Sequence, residues 1–107
     1  MTSWVALCSQ DELQRNGLYV LELPSTSIVV FWAEGEIYAV ENICTHDGGE
    51  LAGGPVDGTT VVCPRHGARF DLRTGAVLAP PAYGPLRTYP AQIREGQVEI
   101  QLGDTPR

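Results

Sequence analysis

The sequence contains no lysine: all seven basic residues are arginine, set against thirteen carboxylates for a formal net charge of −6. Nucleic acids and anionic membranes are held by a surplus of cationic side chains, so neither is an expected partner, and protein partners with basic patches fit better. The missing lysine also excludes a phosphate loop in DGGELAGG at 47–54, which is glycine-rich but has no cation to reach a phosphate. Long apolar runs are absent too. Nowhere do the roughly eighteen consecutive apolar residues of a membrane span occur, and MTSWVALCSQDELQ at the start has no cationic region ahead of an apolar stretch. Neither membrane insertion nor export is expected, and the cytoplasm is the expected location. Cysteine and histidine are scarce, at three and two. Three cysteines cannot all pair within one chain, and in a reducing compartment thiols serve metals or the core.

With 107 residues, the expectation is one domain over 1–107, with a modest core and loops that an inserted metal centre would help to fix. Glycine (12) and proline (8) are plentiful, helical periodicity is scarce, and the apolar runs are short and β-branched, which predicts an all-β fold. Strands are expected at 17–23, 27–33, 36–42, 59–63, 68–72, 87–94 and 97–102. Turn chemistry falls between them at Glu34-Gly35, Asp57-Gly58, Thr74-Gly75 and Glu95-Gly96, so several antiparallel hairpins follow. Only SQDELQ at 9–14 looks helical, because Ser9 with Glu12 makes a capping box, and it is worth a turn or two. Trp4, Phe31 and Trp32 occupy strand positions and are expected in the core or on a sheet face; Cys8, in an early strand, reads as a small buried hydrophobe.

Three glycine- and proline-rich stretches interrupt the strands: CTHDGGELAGGP at 44–55, CPRHGARF at 63–70 and LAPPAYGP at 78–85. Loops of this kind on a rigid scaffold carry function. Both histidines and two of the cysteines lie in the first two, as Cys44-x-His46 and Cys63-x-x-His66. A four-ligand metal site is the expectation. Zinc accepts two thiolates and two imidazoles, but its modules usually pair Cys with Cys and His with His, whereas each loop here supplies one of each. The same set suits a binuclear iron-sulfur centre with both thiolates on one iron and both imidazoles on the other.

CTH and CPRHG at this separation resemble the two cluster-binding loops of the Rieske family, and the likeness continues through RFDLRTG and LAPPAYGP and the flanking hairpins. The resemblance implies a Rieske-like fold of antiparallel sheets, with a small cluster-binding subdomain at about 43–84 formed by two ligand loops and a proline loop. It implies one 2Fe-2S cluster held by Cys44, His46, Cys63 and His66, with Gly48, Gly49 and Gly67 bringing backbone N–H groups toward it. The three-loop tip, with the histidine-bearing iron outermost, is then the docking face. Arg65, Arg69 and Arg73 form a basic run that could orient a partner, Arg65 being the best docking candidate, although such arginines are more often structural partners of carboxylates such as Asp47 or Asp71.

Imidazole in place of thiolate raises the potential from about −400 mV for plant-type clusters toward a range beginning near −150 mV, roughly four powers of ten in a one-electron equilibrium. High-potential relatives in respiratory cytochrome bc complexes add a disulfide and hydroxyl donors. The matching positions here are Gly49, Arg65, Ala68 and Phe70, so a potential of about −150 mV is expected. No histidine is left for the mononuclear iron of an oxygenase. The resemblance therefore implies a soluble, monomeric ferredoxin without a catalytic site, carrying single electrons from an NAD(P)H-dependent flavin reductase to a terminal oxygenase. The alternative is an accessory Rieske protein of iron-sulfur cluster assembly or of a nitrite reductase system.

Overall fold

The computed structural model describes residues 4–24, 26–43, 50–64, 67–80 and 84–102. The fold is all-β apart from one helix, and its centre is the strand SIVVFWA, β3 (Ser27–Ala33). A run with no polar alternation suits a strand buried on both faces. Ile28 and Val30 point into one core, while Val29, Phe31 and Ala33 point into another. β3 pairs antiparallel with β2 (Leu18–Glu22) and β4 (Glu36–Glu41), and β4 pairs with the short β9 (Thr88–Tyr89). Two further sheets cover its faces.

On the first face lies the sheet β1-β11-β10, made of β1 (Trp4–Ser9), β11 (Gln97–Gln101) and β10 (Ala91–Arg94). Val98 and Ile100 of β11 meet Ile28 and Val30, with Cys8 and Leu13 completing that core. Leu13 belongs to α1 (Gln10–Asn16), which starts where the capping signal placed it: the Ser9 hydroxyl accepts the Glu12 N–H at 3.1 Å. The helix ends at Gly17, in the left-handed conformation, whose N–H is donated to the Leu13 carbonyl at 2.7 Å. The β3–β4 and β10–β11 hairpins turn on Glu34-Gly35 and Glu95-Gly96. Both residues of each pair have positive φ, the two-residue turn that matches strand twist.

On the second face lies the sheet β5-β6-β7-β8, made of β5 (Val56–Asp57), β6 (Thr60–Val62), β7 (Arg69–Asp71) and β8 (Val77–Ala79). Its inner residues Val61 and Phe70 pack with Val29, Phe31 and Val40. Two sequence expectations need correction here. Leu78 and Ala79, expected in the proline loop, belong to β8, whose register against β7 shifts so that Leu78 is an extra, outward residue. The strand expected over 87–94 is two strands in different sheets. Pro90 has no N–H to continue a ladder, and its carbonyl accepts the Gln101 N–H at 3.0 Å as the chain crosses from one layer to the other.

Candidate metal centre

Of the four expected ligands, the structure describes Cys63; Cys44, His46 and His66 lie outside the described residues, as do Arg65, Gly48 and Gly49. Cys63 follows the end of β6 and is 1% exposed, in the core that holds Leu51, Val61, Ala68 and Phe70. Its backbone is fixed on both sides. The Cys63 N–H is donated to the Ala68 carbonyl at 2.7 Å, and its carbonyl accepts the Gly67 N–H at 3.1 Å, closing a tight turn in which Gly67 has φ +80°. The Gly67 N–H, expected to face the metal centre, is thus used by the turn itself. Ala68 is fully buried and Phe70 lies below it, so the positions read from the sequence as lacking hydroxyl donors are interior ones.

The neighbouring segments are drawn in by close backbone contacts. A Cβ at Gly54 would run into the Val62 carbonyl, so only glycine lets 51–55 lie against the end of β6. The Leu51 carbonyl accepts the Gly54 N–H at 2.9 Å, and the Pro55 carbonyl accepts the Val62 N–H at 2.9 Å. Beyond the proline loop, the Leu86 N–H is donated to the Gly75 carbonyl at 2.8 Å. One residue went unremarked in the sequence reading: Asn42, a buried polar side chain at the end of β4, which bonds to Ser27, Leu51 and Ala52. Its only signal was an amide standing next to apolar strand residues.

The arginine run divides. Arg73 turns back onto Asp71, with Nε to Oδ1 and Nη2 to Oδ2 both at 3.2 Å, and the Asp71 carboxyl is held below the usual range chiefly by these hydrogen bonds. That pair is the structural partnership expected of Arg73. Arg69 is exposed and makes no ion pair among the described residues. Around it lie exposed Leu78 (53%), Pro64 and Pro80, while Val62 and Ala79, its cross-strand neighbours, are half-buried. An open cleft of about 430 Å³, lined by Tyr38, Leu72, Arg73 and Tyr89, lies at the other end of β7 from Ala68. Cys8 is a buried thiol whose pKa is pushed up by desolvation and, secondarily, by Glu12.

The family model for the Rieske [2Fe-2S] domain matches residues 3–90. The chain belongs to the Rieske [2Fe-2S] family. Its cofactor is one 2Fe-2S cluster, and the described part of the site fits that group: a cysteine sulfur out of water on a turn fixed by backbone bonds, within a chain whose remaining donors are soft thiolate and imidazole. The chain is similar to the ferredoxin component of the p-cumate 2,3-dioxygenase system of Pseudomonas putida, with 34% identity over 99% of this chain and 92% of the relative. It is also similar to the 3-phenylpropionate/cinnamic acid dioxygenase ferredoxin subunit of Photorhabdus laumondii, with 36% identity over 95% and 97%. A solved complex of reduced oxygenase and oxidized ferredoxin in carbazole 1,9a-dioxygenase contains a chain superimposing with a TM-score of 0.88, at 26% identity and 97% coverage of both chains. The all-β expectation is thereby borne out at the level of the Rieske ferredoxin fold. No helix among the described residues is long and apolar enough to cross a membrane.

Proposed function

We propose that this Rieske protein is a one-electron carrier without a catalytic site of its own, accepting electrons from a flavin-dependent, NAD(P)H-oxidising reductase and delivering them to a terminal oxygenase in the cytoplasm. Cys44 and Cys63 would hold one iron and His46 and His66 the other. Residues 43–84 serve as the cluster-binding part of a single, monomeric domain. The bound cluster supplies one reversible one-electron site; the polypeptide supplies its exposure, its potential and the docking face.

The observation that carries this reading is the surface beside Cys63. The buried thiol lies at the end of a sheet whose outer edge is apolar and exposed through Pro64, Leu78 and Pro80, with Arg69 between them. Proline has no side-chain freedom to lose on docking, so such a rim binds a partner at small entropic cost. Charge points the same way. Within 43–86 Arg65, Arg69 and Arg73 nearly offset Asp47, Glu50, Asp57 and Asp71, so most of the net −6 lies on the other sheets. A partner meets little net field at the cluster end, and apolar contact there governs the fit.

Anaerobic titration tests the carrier. The iron-loaded protein takes up one electron per chain from dithionite, shows the EPR signal of a mixed-ligand cluster, and passes that electron in stopped flow to the oxygenase of the p-cumate 2,3-dioxygenase system. A colourless zinc protein, or a reduced cluster that the oxygenase does not oxidise, overturns the reading. The potential falls near −150 mV because positions 68 and 70 offer no hydroxyl, and Ala68→Ser raises it by stabilising the more negative reduced state. Voltammetry of parent and variant checks the direction.

A further inference from the structure

Asn42 is 4% exposed, and its side chain joins three segments of the chain. Its Oδ1 accepts two backbone N–H groups, from Leu51 at 2.9 Å and Ala52 at 2.8 Å, and its Nδ2 donates to the Ser27 hydroxyl at 3.1 Å. Only one orientation of the amide works, because the atom that faces two N–H donors has to be the oxygen. The Asn42 backbone is anchored as well, its N–H donated to the Ser27 carbonyl at 2.8 Å, while the Glu41 N–H goes to the Arg87 carbonyl at 2.8 Å. On one side, then, Asn42 is part of the central sheet. On the other it grips 51–52, the point at which the chain comes back after Cys44 and His46.

We propose that Asn42 is the positioning residue of the first ligand loop, fixing where the chain re-enters the core and so how long the metal centre is retained. The inference rests on Cys44 and His46 being ligands, as proposed above. The residue type follows from the geometry. Alanine offers no acceptor, leaving the buried Leu51 N–H and its neighbour unpaired; aspartate keeps the double acceptor, with the Ser27 hydroxyl free to turn and donate to it. Serine at 27 supports the amide only from the far side, so its loss matters less than that of the oxygen. A side chain that braces a metal ligand from behind typically changes metal retention by 10–100-fold.

Iron-loaded parent, Asn42→Ala, Asn42→Asp and Ser27→Ala proteins are mixed with an iron chelator, and bleaching of the visible absorption is followed. Thermal unfolding is monitored separately by fluorescence of Trp4 and Trp32, both on the base sheets. Asn42→Ala is expected to release iron roughly 10–100-fold faster than the parent with little change in the base transition, Asn42→Asp to restore retention, and Ser27→Ala to fall between. Release at the parental rate overturns the proposal, as does release that accelerates only in step with unfolding of the base. Should Asn42→Ala fail to accumulate, amide exchange in the unaltered holoprotein decides. The Leu51 and Ala52 N–H groups should exchange as slowly as those of β4, and exchange as fast as at exposed turns sinks the idea. A parent that never binds a 2Fe-2S cluster defeats the ligand assignment instead, which keeps the two failures apart.

Discussion

The base sheets and the cluster-side sheet are both antiparallel, yet they are held by different means. β1, β3 and β4 run for six or seven residues, and β3 buries both faces. β5 to β8 run for two or three residues each. Ladders that short contribute few hydrogen bonds, and a small sheet needs a packed face to persist. The cluster-side sheet borrows that face from Val29, Phe31 and Val40 of the base, and is pinned at its end by Asn42, by the close approach at Gly54 and by the turn at Cys63–Gly67. The base has a core of its own between β3 and the β1-β11-β10 sheet, whereas the cluster-side sheet has its inner face on the base.

Removing a proposed ligand breaks this contrast most severely. Cys63→Ser is expected to abolish stable cluster binding and to speed amide exchange at Val61 and Phe70, while Val30 and Val98 in the base stay protected; hydrogen exchange read residue by residue checks it. Next come the two faces of β3. Phe31→Ala, which empties the core shared with the cluster side, should cost about 3–5 kcal/mol and shed the cluster in the same transition, whereas Ile100→Ala, in the other core, should cost about 2–5 kcal/mol with later bleaching. Denaturant melts followed by fluorescence and visible absorption together distinguish them. A smaller effect, about 1 kcal/mol, is expected from Ser9→Ala, which removes the cap of α1; the unfolding midpoint should fall with the visible spectrum unaltered.

The smallest effect concerns Asp71 and Arg73. The folded-state pKa of Asp71 is lowered, so its carboxylate stabilises the fold above the ordinary range near pH 4, and this contribution is lost as pH falls through the lowered value. Because the Arg73 side chain is largely exposed, solvent screens the pair and its contribution is small. Asp71→Asn should therefore differ slightly from the parent at neutral pH, with the difference vanishing on acidification below about pH 4, as read from denaturant midpoints. A large effect would mean that surface charge, rather than the base beneath, holds the cluster side.

Much of the base was legible because its signals are local. Ser9 three residues before Glu12, and Glu34-Gly35 or Glu95-Gly96 between β-branched runs, act through neighbours in the chain, and the structure places α1 and both hairpins there. Cys63 was singled out by spacing as an expected ligand. β5 and β8 were not legible, since two or three residues carry no period and become strands only by pairing with β6 and β7. The division of the arginines was open in the sequence as well: Arg73 has Asp71 within reach two positions away, but that Arg69 lies beside the exposed Leu78 follows from the shifted register of β8. Asn42 was missed because its partners Leu51 and Ala52 are nine and ten residues on.

By itself the sequence pointed to a donor set of two cysteines and two histidines, and it determined the all-β class, the hairpin turns and a net negative charge with no lysine. Each of these follows from residue chemistry or from sterics between chain neighbours. The tertiary structure alone decided which residues of SIVVFWA face which core, that the chain changes sheets at Pro90, that Leu78 is turned out beside Arg69, and that one amide at Asn42 ties the re-entry of the first loop to the central sheet. Burial and long-range hydrogen bonds depend on where distant segments meet, and that is settled only when the whole chain has packed.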